Sequence, residues 1–127
     1  MSNKQKQFKF EPKKDRYLKA RGGTTQFYYL FCSSCGEYLA LYQKDGPGNL
    51  LRLYLDRIFE PEHLSILQNE TSKNKIPALI CQKCNTPIGF PMAYEPENRL
   101  AFRLIRGLFR KEKCDGFHYA KTQQKGG

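Results

Sequence analysis

The residues best placed to do chemistry are cysteines. Cys32 and Cys35 form one Cys-x-x-Cys unit, Cys81 and Cys84 a second, and 45 residues lie between the two. A two-residue gap lets two thiolates in one tight turn converge on a tetrahedral ion at about 2.3 Å each. Gly36 follows the first pair and Asn85 the second. These residue types tolerate positive φ at least cost, and such a turn aims backbone N–H groups at the sulfurs. Lys83, inside the second pair, adds positive charge against four thiolates. The pattern predicts one structural Zn²⁺ on Cys32, Cys35, Cys81 and Cys84, closed to substrates. Iron in the same thiolates is the alternative. A thioredoxin-type redox pair is disfavoured, because no βαβ pattern surrounds either unit.

The fifth cysteine, Cys114, is followed by His118, with Lys111 and Lys113 close by. A nucleophile and base could be built from these, but a spare thiol in a C-terminal tail is the expected reading, since a nucleophile needs a rigid surround. His63 reads as a surface or capping residue. Asp56-Arg57 reads as a local or cross-strand ion pair, with an exposed recognition pair as its alternative. Glycine-rich phosphate loops, Ser-His-Asp orderings and Rossmann fingerprints are missing. No catalytic residue is assigned, and an enzyme is not expected.

The chain of 127 residues suits one domain and carries a net charge of +10. Residues 1–21 hold eight Lys/Arg against two acids, residues 110–127 five against two, and the span between them nine against eight. The ends are basic and the middle is nearly neutral. In the first segment Phe8, Phe10 and Tyr17 are interleaved with Lys9, Lys13, Lys14 and Arg16. Aromatic stacking with phosphate neutralisation is how single-stranded nucleic acid is held. Lys9, Lys13, Lys14, Arg16, Arg103 and Arg106 are therefore the candidate contacts to RNA or DNA. The basic start lacks an apolar stretch of the signal-peptide kind, and no run is long enough for a membrane span. Cytoplasmic placement is expected, where thiols stay reduced.

These side chains must be held by short strands. Residues 1–23 read as a flexible basic arm, 24–113 as a zinc-binding β domain and 114–127 as a tail. Within the domain, Thr24–Phe31 and Glu37–Gln43 flank the first cysteine pair. Lys44–Asn49 is a dense turn signal, and Leu50–Phe59 alternates as a strand, so a hairpin joining 37–43 to 50–59 is expected. Glu62–Leu67 reads as a turn and short ordered segment, with a one-turn helix after Pro61 as its alternative. Ile76–Ile80 and Pro87–Tyr94 flank the second cysteine pair, which puts each pair at a hairpin tip. Residues 99–113 fit a helix with an arginine stripe at 99, 103, 106 and 110, or strands. The turn at Pro96 and the helix-weakening Gly107 favour strands.

Two hairpin-tip Cys-x-x-Cys motifs around a long all-β insert resemble the β-tent group of zinc folds. That group includes Mss-type Rab-release chaperones, Yippee-like proteins, formaldehyde-activating-enzyme-like proteins and methionine sulfoxide reductase B. The resemblance covers about residues 24–110, and only the four cysteines carry over. It implies a mainly β fold, small antiparallel sheets joined by a Cys₄ zinc site in β-tent or zinc-ribbon fashion. The reductase also needs a catalytic cysteine in a context that Glu112–Gly116 does not match. The segment LALYQKDGPGNLLRLYLDRI is similar to one in a family of small uncharacterised bacterial zinc-binding proteins, which implies no activity. The expected function is a structural-zinc binding module for nucleic acid or a protein partner. A chaperone-like protein binder and a thiol reductase using Cys114 are the alternatives.

Overall fold

The computed structural model describes residues 10–114. Lys9, His118 and all but the first residue of the expected tail lie outside the described residues, as do residues 1–9 of the expected arm. Within them, eight strands form two four-stranded antiparallel sheets: β1 (Thr25–Cys32), β2 (Tyr38–Asp45), β3 (Arg52–Tyr54), β4 (Ile58–Glu60), β5 (Leu79–Ile80), β6 (Pro87–Tyr94), β7 (Arg99–Leu104) and β8 (Phe109–Cys114). Sheet one has the order β4-β2-β1-β8 and sheet two the order β3-β7-β6-β5. The mainly β class read from the sequence is correct, and the segment read over 99–113 forms two strands, β7 and β8, joined by a turn at residues 105–108. Two short helices complete the fold, α1 (Arg16–Ala20) and α2 (Glu62–Ser65), the latter continued by a 3₁₀ turn over Ile66–Asn69. The segment after Pro61 is thus the one-turn helix held as the alternative. No helix among the described residues is long and apolar enough to cross a membrane.

The two sheets share one core. Leu30, Ala40 and Tyr42 of sheet one join Leu53, Ile88 and Phe102 of sheet two, with Leu64, Ile76 and Leu79 closing the side. Removing such surface from water is the main driving force for a fold of this size. The buried Tyr42 hydroxyl accepts the Tyr54 N–H at 2.8 Å, satisfying a polar atom between the sheets.

The expected hairpin between 37–43 and 50–59 does not form. β2 pairs with β1 along its length, Thr25 opposite Asp45 through Phe31 opposite Tyr38. The alternating run 50–59 is split by a 3₁₀ turn over Leu55–Arg57. Its first half, β3, pairs with β7 in sheet two, and its second half, β4, pairs with β2 in sheet one. Alternation reports one buried face but not which sheet owns the strand. The split lets Leu53, Leu55 and Ile58 all enter the core while the chain changes sheets. Pro87–Tyr94 is β6 as read, and β5 pairs only with its first half, so Pro91 lies where β6 has a single neighbour.

Residues 10–23 pack on this body. Gln43, fully buried, accepts the Lys13 N–H at 2.7 Å and donates to the Lys13 carbonyl at 2.9 Å. Asp15 caps α1 through the Tyr17 and Leu18 N–H groups at 3.0 and 3.2 Å. It also receives both terminal nitrogens of Arg57, at 2.7 and 3.1 Å. The Arg57 side chain is 1% exposed and its Nε donates to Asp45 at 2.9 Å. The sequence reading of Asp56-Arg57 is therefore corrected. Arg57 is shared by Asp15 and Asp45, while Asp56 pairs with Arg99 at 2.7 Å.

Candidate metal centre

Each Cys-x-x-Cys is built the same way. β1 ends at Cys32, and the Cys32 N–H donates to the Glu37 carbonyl at 2.9 Å. The Gly36 N–H then donates back to the Cys32 carbonyl at 2.8 Å. At the other tip the Cys81 N–H donates to the Thr86 carbonyl at 2.9 Å and the Asn85 N–H to the Cys81 carbonyl at 2.8 Å. Closing each loop needs a left-handed residue, and Gly36 (φ +83°) and Asn85 (φ +64°) supply it. The first loop belongs to the β1–β2 hairpin of sheet one, the second to the β5–β6 hairpin of sheet two. The Ser33 N–H also donates to the Leu108 carbonyl at 3.1 Å, tying the first loop to the turn between β7 and β8.

The four sulfurs meet. All lie within 4.8 Å of one another, with Cys32 to Cys84 at 3.7 Å and Cys35 to Cys81 at 3.6 Å. A tetrahedron with metal–sulfur bonds of about 2.3 Å has edges of about 3.8 Å, so this spacing fits a four-thiolate ion. Cys32 and Cys81 are buried, Cys35 is half-buried and Cys84 is exposed. The cluster can hold a metal ion with one side open to solvent. His63 approaches the second loop only through Gln82, its Nε2 lying 3.3 Å from the Gln82 side-chain nitrogen.

The sulfurs are electrostatically uneven without an ion. The Thr86 hydroxyl, 3.0 Å from Cys84 Sγ, together with the Thr86 N–H, holds the Cys84 thiol down at about 6. The equivalent N–H of Glu37 pulls Cys35 down, but burial and the three neighbouring sulfurs win and push it up to about 12. Crowded thiolates repel, and a bound cation removes that penalty.

The other sequence candidates do not gather here. Cys114 ends β8 opposite Phe27 and is 3% exposed beside Leu41, so it is a buried strand residue and not part of a tail. Lys13 is engaged: its Nζ donates to the Asp56 carbonyl at 2.5 Å and to Gln68 Oε1 at 2.9 Å, and burial pushes its pKa down. Lys14 is exposed, and Arg16 is exposed with its guanidinium 4.8 Å from the Tyr17 ring. Arg103 and Arg106 are exposed on β7 and the turn after it. The arginines at 99, 103, 106 and 110 do not act as one stripe. Arg99 is 6% exposed, sandwiched 3.9 Å from both the Tyr17 and Tyr54 rings and paired with Asp56 and Glu97. Sequence reasoning missed this pair of buried arginine clusters, because each needs a carboxylate remote in the chain, Asp15 for Arg57 and Asp56 for Arg99.

Comparison with protein families, curated proteins and solved structures gives no match to this chain.

Proposed function

We propose that this chain is a small binding module that folds around one structural zinc ion and takes nucleic acid. The observation that carries the reading is the convergence of four cysteine sulfurs from two hairpins of different sheets. Four thiolates at tetrahedral spacing favour zinc and leave it no open position, so the ion clasps rather than catalyses. The buried position of Cys114 supplies no nucleophile to compete with this reading. Thiolate ligands suit a reducing compartment such as the cytoplasm. The two-tip arrangement supports the β-tent resemblance at the level of architecture. The partner half of the reading rests on the net charge of +10 and on cations left exposed outside the metal centre.

Metal analysis of the purified full chain tests the first half. One zinc per chain is expected, lost in Cys81→Ser. Folded protein without metal, or full zinc retention by the variant, contradicts it. For the second half, binding of mixed RNA and DNA oligonucleotides is expected at low salt, and a flat titration at 50 mM salt removes it.

A further inference from the structure

A cleft of about 700 Å³, with none of the four clustered cysteines in its lining, runs between the Asn49–Arg52 segment and the facing parts of β7 and β8. Five of its lining residues are cations, Arg52, Arg103, Arg106, Arg110 and Lys111, and none is an acid. Two features of this cluster have no internal explanation. Arg52 and Arg103 stand directly opposite each other on neighbouring strands. Like charges so placed destabilise a sheet. Among the described residues, neither the Arg103 nor the Arg106 side chain has a hydrogen-bond or ion-pair partner. The contrast with Arg57 and Arg99, each held by two carboxylates, is sharp. This fold neutralises its structural arginines with carboxylates; in the cleft Arg110 pairs with the exposed Glu112, while Arg103 and Arg106 carry no ion pair among the described residues.

The cleft is not purely polar. Leu51, 59% exposed, and Met92 and Phe109 line it beside the cations. Phe90, 51% exposed, is the cross-strand neighbour of Arg103 on β6, so the two side chains share one face of sheet two. Arg52 is braced at the same face, its guanidinium 4.4 Å from the Tyr94 ring. Cations that track a backbone beside an exposed ring form the recipe for holding an unpaired strand.

We propose that this cleft binds single-stranded nucleic acid, with Arg52, Arg103 and Arg106 on phosphates and Phe90 as a stacking platform for a base. The inference rests on the nucleic-acid reading above and gives that reading a place, in this cleft rather than on the N-terminal basic segment. Duplex is disfavoured, because a paired base has no free face for Phe90.

The test uses the zinc-loaded full chain and fluorescein-labelled 12-nucleotide RNA and DNA strands of mixed sequence, read by anisotropy. With three phosphate contacts, affinity falls about 20-fold between 50 and 200 mM salt, at a slope of roughly 0.7 per contact. Arg103→Gln/Arg106→Gln is expected to weaken binding at 50 mM by about tenfold or more and to cut that salt effect to roughly threefold. The control Lys73→Gln/Lys75→Gln removes the same charge from an exposed loop and is expected to bind nearly as wild type. Phe90→Ala is expected to weaken single-strand binding about fivefold or more and to leave duplex binding unchanged. Equal losses in the arginine and lysine variants overturn the cleft while the nucleic-acid reading stands. No wild-type binding at 50 mM overturns both. Duplex binding as tight as single-strand binding overturns the stacking assignment and with it the proposal.

Discussion

Arg57 shows how much one side chain can organise. Its guanidinium, 1% exposed, joins Asp15 of the N-terminal segment to Asp45 at the end of β2, whose carboxylate also accepts Thr25 at 2.8 Å and Gln43 at 2.9 Å. The Asp45 side chain is itself only 4% exposed, so losing Arg57 leaves a buried charge without its counter-ion. Arg57→Ala is expected to lower unfolding free energy by about 3–5 kcal/mol. Arg57→Lys should recover little of it, because an ammonium cannot fork between two carboxylates. Urea unfolding followed by circular dichroism measures both, and a loss below about 1 kcal/mol in the alanine variant would contradict the account. None of this was legible in the sequence, where Arg57 and Asp15 stand 42 positions apart. By contrast Gly36 and Asn85 announced their left-handed turns, because that geometry is decided within six residues of chain.

At the scale of elements, α1 is five residues long and cannot stand alone in water. It is held by Asp15 beneath it and by Arg21, whose guanidinium grips Glu97 at 2.8 and 3.0 Å. Hydrogen bonds from Arg57 hold the Asp15 carboxyl well below the usual carboxylate range. Burial pushes Glu97 up, but Arg21 and Arg99 outweigh it and leave its pKa lowered. A carboxyl depressed in the fold contributes stability above its unfolded value of about 4, and that contribution is lost as pH falls towards the folded value. Thermal stability should therefore drop between pH 5 and pH 3, and the drop should be smaller in Asp15→Asn, which keeps the cap but not the charge. Acid release of any metal from the four cysteines is common to both proteins, so the difference between them isolates the ion pair. Identical pH profiles would sink this assignment. The same scale shows where pattern reading stops. The strands around each cysteine pair were readable, since each turn joins neighbours. The run 50–59 was not, because its alternation fits either sheet and only the 3₁₀ turn at Leu55–Arg57 divides it between them.

For the whole molecule, the metal centre and the core do the same job at different places. The shared core joins the sheets through Leu30, Tyr42, Leu53 and Phe102, and the cysteine loops join them at one edge. Stripping the ion with a chelator should lower the melting temperature by at least about 10 °C, equivalent to roughly 2 kcal/mol for a domain of this size. Amide exchange should rise first at 32–37 and 81–86, the loops that the ion holds. An unchanged melting temperature with the metal removed would show that the core alone suffices.

β1 sits between β2, its neighbour in sequence, and β8, the last described strand, so Gln26 meets the Cys114 carbonyl across 88 positions. During synthesis the first cysteine loop and its hairpin emerge long before the second loop, and one edge of β1 stays unpaired until residues 109–114 have left the ribosome. A nascent chain stalled before Phe109 would display an open strand edge and a half-built thiolate site together, the state most exposed to wrong pairing and to oxidation. Assembly of the described fold is thus gated by β8.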